Sequence, residues 1–120
     1  MREYLFRGKE DTNKPFVYGS LLIKSDGSHF IAWFADGVAR FTKVIKETVG
    51  QYVGLDSNGD KMFEGDVVQY VYTNSLPHKY IIENFDGGVY PFDDELQPED
   101  MRVIGNVHDT PELIQEVFNS

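Results

Sequence analysis

Apolar positions in this chain fall into short runs that alternate with a period of two and are interrupted by Asp-Gly and Asn-Gly pairs. Such pairs accept the positive φ that tight hairpin turns require, so each interruption predicts a reversal between two strands. Asp26-Gly27 separates a strand over Tyr18–Ile23 from one over Phe30–Phe34, and Asp36-Gly37 separates the latter from Val38–Ile45. Asn58-Gly59 and Asp86-Gly87-Gly88 repeat the device in the second half. Within Phe30–Phe34, Phe30, Ala32 and Phe34 oppose Ile31 and Trp33, which predicts a central strand at least partly covered on both faces rather than a sheet with one wet face. The run Val67–Thr73 reads the same way, with Val67, Gln69, Val71 and Thr73 opposite Val68, Tyr70 and Tyr72. These patterns predict a closed or two-layered β core.

Helical periodicity is confined to the C-terminus. There Thr110 suits a cap, Pro111 the first turn and Glu112 the positive end of the dipole, and Leu113, Ile114, Val117 and Phe118 form one stripe. A weaker helical pattern covers Lys43–Val49. Pro77 and Pro98 are placed in loops.

Composition narrows the picture. A chain of 120 residues suits one domain, and 41% hydrophobic with 14% aromatic residues is too apolar for a disordered tail. With 0 Cys there is no disulfide framework, thiolate zinc site or cysteine nucleophile. Met1-Arg2-Glu3-Tyr4 lacks the apolar region of a signal peptide, and the apolar run Phe30–Ala35 is far short of the roughly 20 residues of a membrane span. The expected compartment is the cytoplasm, without membrane association.

The formal charge is −9, from 20 acidic against 11 basic residues, which disfavours a general footprint for nucleic acid. Between Tyr80 and Met101 there is no Lys or Arg, whereas Glu83, Asp86, Asp93, Asp94, Glu95, Glu99 and Asp100 all fall there. That stretch reads as a solvated loop first and as a recognition surface for a basic partner second.

Motifs with chemical content fail on their spacing. Asp56-Ser57-Asn58-Gly59-Asp60 invites comparison with a calcium loop, but the register puts Lys61 at the turn glycine and Val67 at the bidentate glutamate. Gly54 and Gly59 have phosphate-loop spacing, yet Asp60 and Lys61 follow where lysine and a hydroxyl residue are required. His29, His78 and His108 lack the i,i+4 spacing of a helical metal site. No nucleophile elbow occurs, and paired carboxylates are too common in an acidic chain to argue for a hydrolase. Asn58, Gly59, Glu64, Gly65 and Asp66 are read as structural turn residues. No metal and no cofactor are expected.

Two ordered blocks carry a family resemblance. Glu47–Asp56, continuing through Asn58-Gly59 to Phe63-Glu64-Gly65-Asp66-Val67-Val68, resembles the signature stretch of the YopX-like proteins of bacteriophages and prophages. Val103–Leu113 does so as well, and Phe6-Arg7-Gly8 with Phe16–Ser20 is similar to the family's opening. Val53 and Met62 are mild departures, and Thr73–Met101 shows no family pattern. The resemblance implies a phage or prophage origin in a bacterial host and a mainly β fold with a small barrel in the C-terminal half. It brings no catalytic residues with it.

The combined expectation is a single domain over 1–120, with an N-terminal β subregion (1–47) and a C-terminal barrel (48–120). Its fold is mainly β: a small SH3-like barrel or a two-layer β core built from hairpins, with a short C-terminal α-helix. The leading functional expectation is a non-enzymatic accessory module binding a host or phage protein, through Asp93, Asp94 and Glu95. The alternative is nucleic-acid binding, with Tyr70, Tyr72 or Tyr80 stacking bases and Lys43, Lys46, Lys61 and Lys79 meeting phosphates. A small hydrolase ranks last, and homo-oligomerisation is compatible with free sheet edges.

Overall fold

The computed structural model describes residues 5–70, 79–85, 88–92 and 96–118. Its contacts divide the chain into two compact units, Met1–Tyr52 and Val53–Ser120. The fold is mainly β, with a short helix at the C-terminus.

In the first unit, strands β1 (Phe6–Gly8), β2 (Val17–Ile23), β3 (His29–Ala35) and β4 (Val38–Val44) form an antiparallel sheet in the order β4-β3-β2-β1. The first residues of β5 (Gly50–Leu55) pair with the other side of β1. At the β3–β4 reversal, Asp36 and Gly37 have φ of 53° and 77°, as a two-residue type I′ loop demands. That turn sets a register without slippage from Ala35↔Val38 to His29↔Val44. Ile31 and Val44 are buried on one face, where the Trp33 indole N–H donates to Thr42 Oγ1 at 3.0 Å.

The helical pattern over Lys43–Val49 yields only one 3-10 turn, Lys46–Thr48. Val44, Ile45, Thr48 and Val49 are β-branched and resist helix, and Val44 completes β4 instead. Bonds on either side of this turn reach back to Lys9. Ile45 N–H donates to Lys9 C=O at 2.7 Å, and Lys9 N–H donates to Thr48 Oγ1 at 2.8 Å. The strip after β4 is thereby fastened to the end of β1.

In the second unit the end of β5 pairs with β6 (Lys61–Phe63). Strands β7 (Asp66–Tyr70), β8 (Lys79–Ile81) and β11 (Met101–Asn106) form a sheet in the order β11-β7-β8, and β9 (Glu83–Phe85) and β10 (Gly88–Tyr90) form a hairpin. Met62, Val68, Ile82 and Met101 make its core, with Tyr70 and Tyr80 packed at the margin. Of the two expected forms the barrel is not made, since among the described residues the sheets do not close on themselves, and the expectation of a β core built from hairpins with a short C-terminal helix is met. The chain changes partner at buried Ile82, which bonds through its N–H to Asp66 and through its C=O to Gly65. From Glu83 onward the strand pairs with β10 instead.

The C-terminal helix, α1, spans Glu112–Phe118. Thr110 does not act as its expected side-chain cap. Its hydroxyl accepts from Asn106 N–H at 2.9 Å and donates to Asn106 C=O at 2.8 Å, fastening the loop before the helix. Gly105 is required at this junction because a Cβ there would overlap the Thr110 hydroxyl and the Leu113 side chain.

Candidate binding surface

Facing residues of paired strands share a face, so the registers assign the outer surface of the β2–β3–β4 sheet directly. Ser20 pairs with Ala32 and Leu22 with Phe30; Ala32 pairs with Phe41, Phe34 with Ala39 and Phe30 with Lys43. Tyr18 joins the same face by alternation along β2. This face, opposite buried Ile31, presents Phe34 (77% exposed), Phe41 (61%), Tyr18 (48%) and Leu22 (43%). The expectation that both faces of β3 are at least partly covered holds at half-buried Phe30 and Ala32, and the reading against a wet face is corrected at Phe34, which meets solvent. Ala32, Ala39 and Ser20 stand between the large side chains, so their flanks are accessible.

Charge on this surface is one-sided. Strands β2, β3 and β4 contain no carboxylate. Lys43 lies on the outer face, Lys24 follows β2 with its Nζ 4.6 Å from the centre of the Phe30 ring, and Arg40 faces Trp33 on the opposite side of β4. The neighbouring acids, Asp26 and Asp36, lie in the turns. Ser28 donates its backbone N–H to Asp26 Oδ1 at 2.9 Å; with help from the Ser28 hydroxyl, Lys24 and Lys43, this holds the Asp26 carboxyl below its ordinary value. Residues 1–52 carry eight basic and six acidic side chains, whereas 53–120 carry three and fourteen. The net acidity of the chain therefore resides wholly in the second half.

A second cationic group is differently disposed. The Arg7 guanidinium lies 4.1 Å and Lys9 Nζ 5.0 Å from the centre of the Phe16 ring. Both residues are buried, so they belong to the packing of the loop between β1 and β2 rather than to an open site.

The sites expected from sequence distribute unevenly. Asp93, Asp94, Glu95 and Tyr72 lie outside the described residues, as do His78 and the Asp86-Gly87 turn. Tyr70 and Tyr80 are half-buried against the core of the second unit, and Tyr80 makes an edge contact with Tyr90 at 5.9 Å. Lys43 and Lys46 belong to the first unit, Lys61 and Lys79 to the second. His29 Nδ1 is bonded to the Gly27 carbonyl at 2.8 Å. Among the described residues no group of three His, Asp or Glu side chains is placed to hold a metal ion. No described helix is long and apolar enough to cross a membrane. Tyr18, Leu22, Phe34 and Phe41 were not singled out by the sequence, although outward positions that are apolar and free of acid along three successive strands were the available signal.

The turn residues form a connected structural set. Asp56, buried, accepts through Oδ1 from Asn58 and Asp60 N–H (both 2.9 Å) and through Oδ2 from Val103 N–H (3.0 Å). Ser57 N–H donates to Met101 C=O at 2.7 Å, so the Asp56–Asp60 turn lies along the outer side of β11. Asp66, also buried, accepts from Phe63 N–H at 2.8 Å and holds the reversal through Glu64 and Gly65 between β6 and β7. Gly65 C=O accepts from Val107 N–H, and Asn106 Oδ1 accepts from His108 and Asp109 N–H. The blocks 56–66 and 103–110 are thereby bonded to each other through backbone groups.

Buried carboxylates tie the turns of this mainly β protein together, and one aromatic sheet face is left open. The chain belongs to the YopX protein family, whose model matches residues 5–115. No curated protein matches it.

Proposed function

We propose that the chain is a phage- or prophage-borne accessory protein of the bacterial cytoplasm, and that it acts as a non-enzymatic module binding another protein through the outer face of β2–β4. The observation that carries this reading is the contiguous exposure of Tyr18, Leu22, Phe34 and Phe41 on one side of one sheet. Contiguous apolar surface of this kind marks an interaction site, because covering it returns about 25 cal/mol per Å² and aromatic side chains lose little conformational freedom. The acidic stretch containing Asp93, Asp94 and Glu95 is a further candidate for contact with a basic partner.

Nucleic-acid binding is the alternative, and it too has a specific observation in its favour. Lys24 and Lys43 flank the Phe30 ring on a face without carboxylates, the combination that stacks bases and meets phosphates.

One experiment addresses both. The full chain and a Phe34→Ser/Phe41→Ser variant are used as bait in host lysate, each with and without nuclease. A stoichiometric protein that survives nuclease and is absent from the variant is the expected result, while the variant's unfolding free energy stays within about 0.5 kcal/mol of the parent. Retained species that vanish with nuclease would transfer the face to the alternative reading.

A further inference from the structure

We infer that the free edge of β4 accepts an acidic, extended segment of the partner as an additional strand. This rests on the protein-binding reading and goes beyond it by naming the edge and the chemistry of what it takes. Strand β4 ends the sheet order on its side, so among the described residues its outer N–H and C=O groups take part in no ladder. It is seven residues long, contains neither Pro nor Gly, and keeps an uninterrupted register with β3. Such an edge is a template for another chain, and proteins that do not use one shorten it, bulge it or cover it. This same chain does so at β11, where the Asp56–Asp60 turn lies along the outer side.

Charge determines which segment fits. An added strand would send its side chains alternately to the two faces of the sheet. On one face it would pass Ala39, Phe41 and Lys43; on the other, Val38, Arg40 and Thr42. Each face of β4 therefore offers one cation beside apolar or neutral neighbours, and Lys24 adds a third near Phe30, with the turn carboxylate Asp26 offsetting part of the charge of Lys24 and Lys43 so that the array keeps a net positive charge. Carboxylates interspersed with aliphatic or aromatic residues complement this array, and basic segments are repelled by it. Main-chain ladder bonds supply affinity and alternate side chains supply selectivity, as in other cases of strand addition. A polynucleotide has no backbone able to continue the ladder and could engage only the ring faces and the cations beside them.

Selection of a random dodecapeptide display library on the immobilised full chain tests this. The expected outcome is enrichment of peptides alternating Asp or Glu with Val, Ile, Phe or Tyr. A synthetic peptide of the enriched sequence should lose about tenfold or more in affinity to an Arg40→Glu/Lys43→Glu variant whose thermal unfolding is unchanged. Its binding should also slow amide exchange within 38–44. Enrichment of neutral or basic peptides, or binding indifferent to the double reversal, overturns the inference. If such peptides still depend on Phe34 and Phe41, the protein-binding reading stands without the edge. If no peptide is enriched and an oligothymidylate offered in parallel to the immobilised chain is retained, both fall together.

Discussion

Strands β11 and β4 are both outer strands, one in each unit, and the chain treats them in opposite ways. Beside β11 a single buried carboxylate, Asp56, both shapes its own turn and receives the Val103 amide, while Ser57 bonds to Met101. Beside β4 there is no equivalent turn among the described residues, and most of the strand is exposed. The Asp56–Asp60 turn thus closes one edge of the second unit, while the open edge lies in the first. The proposed docking face draws on Ala, Phe and Lys positions together with Tyr18 of the Phe16–Ser20 block.

The contrast is most severely tested at Asp56. Asp56→Ala removes the acceptor of three backbone N–H groups and should lower the unfolding free energy by about 3 kcal/mol, read by denaturant titration. A loss much below about 1 kcal/mol would mean that the turn rests on β11 without securing it. Gly105→Ala comes next, since its methyl group would force Thr110 and Leu113 apart; a loss of about 1–3 kcal/mol is expected in the same titration.

The smallest effect lies at the rim of the open sheet. The Asp26 carboxyl is held low in the folded chain, so its contribution is present in full above its ordinary value of 3.8 and fades as pH falls through the lower folded value. Asp26→Asn should therefore melt slightly earlier than the parent near neutrality, and the two melting curves should converge in acid. A gap that widens in acid would contradict the Ser28 bond as its cause.

Much of this arrangement was legible in the residues themselves. The Asp36-Gly37 pair announces its turn because few dipeptides tolerate two positive φ values, and the α1 stripe of Leu113, Ile114 and Val117 has no strand-like alternative. The outer face of β3 was not legible. Phe30, Ala32 and Phe34 alternate with Ile31 and Trp33, and periodicity records only that a position is apolar; a core and a docking face use the same side chains. The acidic run stands out by composition, whereas the proposed docking face is marked by the acids missing from β2, β3 and β4. Absence at three separated stretches becomes a signal only once pairing has laid them side by side. Asp56 heads a calcium-like register that it does not satisfy, and its long-range partner, Val103, is too distant in sequence for any local pattern to reveal.

The indole of Trp33, the one tryptophan of the chain, sits on β3 and is bonded across the ladder to Thr42 on β4. Its emission is consequently an intrinsic optical gauge of the first unit, to which it belongs. Denaturation followed at once by that emission and by far-ultraviolet dichroism reports whether the halves melt together, because dichroism weighs both while the fluorophore witnesses only one.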